Sequence, residues 1–173
     1  LHNRGINEEH RPMSDRASII ALCAAPAAGA PLQTLAEAEL EAGRGLVGDR
    51  YHAAVGTFSG KLQGRPDAEI TLIEIEEIRR FADGEARRRD PGEFRRNIVT
   101  EGVRLDALVG RRFLVGPAVL EGIRLCEPCA HLGRLVSPMV VEAMAHRAGL
   151  RARIITGGMV RVGDAIIMDG DNP

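Results

Sequence analysis

Phe94-Arg95-Arg96-Asn97-Ile98-Val99-Thr100 and, further on, Cys126-Glu127-Pro128-Cys129 carry the densest chemistry in the chain. The first segment predicts a strand over 94–99. Alternate residues on a strand share a face. Arg95 and Asn97 would then look one way, and Arg96 and Ile98 the other. Arg95 beside Asn97 makes the better polar pair, a guanidinium fork next to an amide that both donates and accepts. Cationic side chains, an amide and thiols on apolar scaffolding suit an anionic ligand that bears sulfur or a metal.

The flanking sequence supplies that scaffolding in short pieces. Arg112–Val115 and Val119–Leu125 read as strands joined through Gly116-Pro117. Leu105 to Val109 reads as a helical turn ending at Gly110. Ser137-Pro138 offers a helix start, a hydroxyl at the N-cap and proline in the first turn. Arg151–Thr156 and Ala165–Met168 are further strands. On the N-terminal side, the apolar run Ile19–Ala24 predicts a buried strand, with Cys23 a packing thiol. From Ala36 to Glu41 apolar and acidic residues alternate strictly, which predicts a strand with one wet face. Ala68–Ile73 predicts a strand that runs into a helix over 74–82, where Ile75, Ile78 and Ala82 share a face. Many short strands, glycine turns and two clear helices point to a mainly β barrel of about eight strands rather than to alternating βαβ units.

Composition narrows the function classes. At 173 residues with 45% hydrophobic and 27% charged residues, the chain is most simply one soluble domain, expected over 18–168 with polar tails at 1–17 and 169–173. A net charge of −1 gives no global field for nucleic acid or anionic membrane, and 3% aromatic content gives no base-stacking platform. No apolar run approaches the roughly 20 residues of a membrane span. Three cysteines suggest free thiols in a reducing compartment, hence a cytoplasmic protein. Lys61 is the only lysine among 23 basic residues, and Arg87-Arg88-Arg89 reads as solvated loop charge.

Two motifs have competing readings. Gly43-Arg44-Gly45-Leu46-Val47-Gly48 matches a dinucleotide fingerprint, but that needs a helix opening at the third glycine. Asp49-Arg50-Tyr51-His52 and a glycine-rich loop follow instead, so the glycines read as a tight turn. Cys126 and Cys129 form a C-x-x-C. A zinc site would need two more ligands, and a redox pair would want a βαβ setting. A third reading makes one cysteine a soft ligand or nucleophile in a pocket. Two unreactive thiols remain the plainest alternative.

At these residues the chain resembles the MOSC domain, named for the C-terminal domain of molybdenum cofactor sulfurases. Gly45–His52, Phe94–Thr100, Leu108-Val109-Gly110 before a strand, and Cys126–Cys129 look like its successive motifs. The resemblance covers about residues 18–168 and is to the small stand-alone bacterial type. It implies a closed β-barrel like the pyruvate-kinase barrel domain, with peripheral helices. It implies binding of the molybdenum-pterin cofactor, or sulfur transfer to such a cofactor. The family's candidate molybdenum ligand or persulfide carrier matches Cys129. Its arginine and asparagine match Arg95 and Asn97, with Thr100 nearby and Arg96 a lesser candidate. Gly48, Asp49, Arg50 and His52 are implied to lie near the same pocket. Ala53-Ala54 departs from the glycines that often follow that histidine in members reducing N-hydroxylated compounds. The sulfurases' pyridoxal-phosphate domain has no counterpart in this chain, so no pyridoxal phosphate is expected.

The expectation is therefore a molybdenum-cofactor protein that reduces N-hydroxylated compounds with a separate electron donor. One rival is a carrier that receives persulfide sulfur on Cys129 from a cysteine desulfurase. The other is a non-catalytic redox or zinc module.

Overall fold

The computed structural model describes residues 16–168. The tail expected over 1–17 lies outside these but for Arg16 and Ala17, and that at 169–173 lies outside altogether. The described residues form eleven strands and four short helices, with 3-10 turns between them. The strands are β1 (Ser18–Ala24), β2 (Gln33–Leu35), β3 (Glu37–Glu41), β4 (Gly45–Leu46), β5 (Ile70–Glu74), β6 (Ile98–Glu101), β7 (Arg112–Val115), β8 (Ala118–Leu125), β9 (Leu150–Thr156), β10 (Gly158–Arg161) and β11 (Ile166–Met168). The helices are α1 (Ser59–Leu62), α2 (Ile75–Gly84), α3 (Ala130–Leu135) and α4 (Val140–Ala143).

Eight strands make one mixed sheet in the order β11-β7-β8-β9-β5-β6-β1-β2, and β10-β3-β4 make a second. The fold is mainly β, but the expected closed barrel is not there: both sheets are open. The large sheet curls until Ser18 of β1 meets Ala165 in a single isolated bridge. Closure would need a continuous ladder at that seam. Instead β11 forms its ladder with β7 and meets the start of β1 through scattered bonds such as the Ile166 amide to the Ala17 carbonyl, and the far end of β1, Leu22 to Ala24, is taken by β2.

The β5-α2-β6 unit explains why the sheet is mixed. Parallel neighbours need a crossover, and α2 supplies it between β5 and β6, which pair in parallel at Leu72↔Ile98 and Ile73↔Val99. These strands are covered on both faces. Leu72 and Ile98 enter the core within the curled sheet, while Ile73 and Val99 join a second core under α2, α3 and α4. Sheets buried on both sides read as unbroken apolar runs, as Ile70 to Ile73 nearly does. In the second core, Ile75, Ile78 and Phe81 of α2 meet Phe94, and the Phe81 and Phe94 rings pack edge to face at 6.0 Å. No helix among the described residues is long and apolar enough to cross a membrane.

Candidate functional site

The stretch expected as a strand over 94–99 is not one until Ile98. Asp90 Oδ1 accepts from the Gly92 amide at 2.7 Å, and Glu93 Oε1 accepts from the Asp90 amide at 3.0 Å. With Pro91 in the first turn, this capping box sets a 3-10 turn over Pro91–Phe94. Arg95 ends it in the left-handed region at φ 61°. Arg95, Arg96 and Asn97 therefore form a bend, and shared strand faces do not decide where they point.

They nevertheless reach one cleft. Its lining brings Arg95, Arg96 and Asn97 together with Arg50, Arg151 and Cys129, and with Tyr51, Phe58, Thr71, Cys126 and His131. Each arrives for a local reason. Asp49, itself buried, accepts from the Ala25 and Tyr51 amides at 3.1 Å each, and so ties down the turn that presents Arg50. Its Oδ1 also takes Arg50 Nη1 at 3.0 Å, and the Arg50 guanidinium lies 4.8 Å from the centre of the Tyr51 ring. Tyr51 in turn leaves no room for a side chain at Gly56, where a Cβ would fall 2.7 Å from Tyr51 Cε1.

Asn97 is a staple. Its Oδ1 accepts from the Thr71 amide and hydroxyl at 3.2 and 3.0 Å, and its Nδ2 donates to the Cys23 carbonyl at 3.3 Å. It thereby joins the approaches to β1, β5 and β6 at the cleft floor. Arg96, 9% exposed, donates to three carbonyls: Ala148 at 3.0 Å, Phe94 at 3.0 Å and Cys126 at 3.4 Å. Arg95 donates to the Ala30 carbonyl at 2.8 Å. Burial first and the Arg50 charge second pull Arg95 below its ordinary value. Among the described residues Arg95, Arg96 and Arg151 have no carboxylate partner, while Arg50 pairs with Asp49 and Glu127, the one acid in the lining, pairs with His146, so the cleft keeps an excess of positive charge.

The two cysteines of the C-x-x-C differ. Cys126 is buried and its amide donates to the Gly149 carbonyl at 2.7 Å. Cys129 is exposed and occupies the N-cap position of α3. Glu127 between them turns to His146, which binds both of its carboxylate oxygens at 2.8 Å. Although its partial burial works the other way, these contacts hold the Glu127 carboxyl below the usual range. Cys23, in β1, is buried, which pushes its thiol up to about 11 with some help from Asp90.

Four residues expected near the pocket do not line it. Gly48 shapes the turn before Asp49 with φ 87°, and Asp49 works behind Arg50. His52 pairs with Glu41 at 2.8 Å in a neighbouring recess that shares only Tyr51, Leu62 and Ala68 with the cleft. Thr100 is fully buried and donates to the Ile73 carbonyl at 3.2 Å. Conversely, Arg151, Thr71, Phe58 and His131 line the cleft although no motif points to them, and so does Tyr51, inside the Gly45–His52 motif. Of the first four only Arg151 has a signal in the sequence: with Arg153 it alternates with Ala152 and Ile154, a polar row on an otherwise apolar strand.

The family model for the MOSC domain matches residues 59–167, most of the chain. The chain belongs to the MOSC domain family. Solved structures similar to this MOSC chain include the YuaD protein from Bacillus subtilis, at 20% identity over 87% of this chain and 93% of that one, with a TM-score of 0.73. YiiM from Geobacillus stearothermophilus is similar at 17% identity, covering 88% and 75%, with a TM-score of 0.66. YiiM from Escherichia coli is similar at 17% identity, covering 91% and 70%, with a TM-score of 0.63. At these identities the likeness is one of fold. No curated protein matches the chain.

The donor set of this MOSC chain can be tested against a molybdenum-pterin cofactor. Among the described residues no three His, Cys, Asp or Glu side chains gather as a metal site. A metal here would need ligands from its own cofactor, with one from the protein. Guanidinium groups around one exposed thiol fit an anionic cofactor of that kind. The enclosed space, about 80 Å³, is small beside the several hundred of a typical ligand pocket. It accepts a thiolate- or phosphate-sized group, with the remainder of a larger ligand lying along the open rim.

Proposed function

We propose that this MOSC protein binds the molybdenum-pterin cofactor in the arginine-lined cleft, with Cys129 as the protein's ligand to the metal. The observation that carries this reading is the exposed Cys129 thiol in a cleft lined by Arg50, Arg95, Arg96 and Arg151, the last three without a carboxylate partner among the described residues. Arg95 and Arg96 offer N–H groups to the cofactor's anionic parts, and Asn97 holds the floor that sets their spacing. When bound, the cofactor supplies a two-electron centre able to take oxygen from an N–O bond. The overall change would convert R–NHOH, two electrons and two protons into R–NH2 and water. The electrons come from a separate donor protein, and the three free thiols fit a reducing, cytoplasmic setting.

A second reading is favoured by the small enclosed space. A persulfide on Cys129 would fill it, and the arginines would stabilise the anionic sulfur while it is handed to a metal-sulfur centre. The readings separate by experiment. Protein from a host with an intact cofactor pathway should reduce an N-hydroxylated benzamidine when given a reductant. Incubation with a cysteine desulfurase and cysteine should instead add one sulfur to Cys129, by mass spectrometry, if the protein is a carrier. Activity without sulfur loading supports the first reading, and loading without activity supports the second.

A further inference from the structure

Arg151 lies in β9, the strand between β8 and β5, directly opposite Arg124 on one side and Thr71 on the other. Two like charges facing each other across antiparallel strands destabilise the sheet. Asp67, 4% exposed, is the neighbouring acid that would answer both. It answers only one. Arg124 Nε binds Asp67 Oδ2 at 2.7 Å, and Arg65 occupies both carboxylate oxygens at 3.1 and 3.3 Å. Among the described residues Arg151 Nη1 donates only to the Asp67 backbone carbonyl, at 3.2 Å, and the side chain otherwise lines the cleft. Its charge is thus held at the cleft wall while the Asp67 carboxylate is taken by Arg124 and Arg65, and Glu127, the acid in the cleft lining, is bound to His146. Across the same cleft, Phe58 and His131 pack edge to face at 5.5 Å, and Leu62 and Leu132 add apolar surface.

A guanidinium with free donors beside apolar and aromatic surface is a site for a carboxylate on a flat apolar body. We propose that Arg151 is the residue that recognises the substrate's anion, so that this cleft selects small planar ligands carrying a carboxylate. Arg124 and Arg65 contribute from outside by keeping Asp67 away from Arg151. The inference rests on the reading of this cleft as the ligand site, but not on the presence of molybdenum. It names a substrate class: N-hydroxylated compounds with a carboxylate on an aromatic ring.

The test uses the purified full chain with benzoate and benzamide as probes, following ligand binding by calorimetry and the rate at which iodoacetamide alkylates Cys129. Benzoate should bind and slow alkylation, and benzamide should do neither. Arg151→Gln should weaken benzoate by about tenfold, the scale of a lost charge-assisted hydrogen bond. Arg124→Gln, which leaves the lining intact and removes the shorter of the two contacts on Asp67 Oδ2 so that this carboxylate can compete for Arg151, should weaken it by about threefold, as a surface ion pair competes. Equal binding of the two probes, benzoate affinity unmoved by both variants, or binding that leaves Cys129 alkylation unchanged would overturn the proposal. Should Arg151→Gln fail to fold, Arg124→Gln alone decides. Benzoate binding of the expected kind in protein that never acquires molybdenum or pterin would sink the cofactor reading and leave this one standing.

Discussion

Arg96 Nη2 donates to the carbonyl oxygen of Cys126 at 3.4 Å, which ties the bend after Phe94 to the loop that carries Cys129. The same guanidinium holds Ala148, next to the glycine whose carbonyl receives the Cys126 amide. One buried side chain thus fastens three segments that are remote in sequence, and the cleft exists because they meet.

Replacing Arg96 should therefore cost stability as well as binding. Arg96→Ala would leave three carbonyls short of a donor, for a loss of about 3 kcal/mol. Arg96→Lys keeps the charge but cannot span all three acceptors, and should fall between. Urea denaturation of both variants checks the order.

Gly149 tests the same junction by geometry. Its φ of +118° disfavours any side chain, and a Cβ there would run into the Leu72 carbonyl. Gly149→Ala should lose about 2 kcal/mol or more. Gly43→Ala, also at positive φ but with open space around it, should lose less. Parallel melting curves make the comparison.

Asp67 gives a pH-dependent prediction. Its burial opposes ionisation, but Arg124 and then Arg65 outweigh that and hold the carboxyl below its usual range. A depressed folded value means stabilisation that is complete above the unfolded value, near 3.9, and lost as pH falls through the folded one. Asp67→Asn should be less stable than the parent at pH 7, on the order of 1 kcal/mol given two half-exposed partners. The gap should narrow below about pH 4. Denaturation at several pH values reads this directly.

Thiol reactivity should follow exposure. Iodoacetamide should modify Cys129 in the folded protein and reach Cys23 and Cys126 only on unfolding, because both are buried. Peptide mass spectrometry after timed labelling identifies the site.

Much of the scaffold is legible because local signals agree with the fold. The period-two alternation of β3 places Ala38 and Leu40 inside, and the Ile75/Ile78 face marks α2. The strand expected over 94–99 fails because the capping box at Asp90–Glu93 outweighs the β-propensity of Phe94 to Val99 at its start. Helix α3 escapes a sequence reading at Gly133, which looks like an interruption. That glycine is in the helix because Val141 packs against it, where a Cβ would approach Val141 Cγ2 to 3.3 Å. That the large sheet stays open is not readable, since it depends on the incomplete pairing at the β1–β11 seam and on how β2 caps β1. At the site, the motifs lead to Arg50, Arg95, Arg96, Asn97 and Cys129, which the fold does bring to one cleft. Nothing local shows that Arg151 would meet them, because its place is set by pairing with β5 and β8.

The most direct measurement is the molybdenum and pterin content per chain of the wild type, Cys129→Ser and Cys126→Ser, all purified from a host that makes the cofactor. The account expects both components in the wild type, loss of molybdenum in Cys129→Ser, and retention in Cys126→Ser. Absence of both components from the wild type, or equal loss in the two variants, would contradict it.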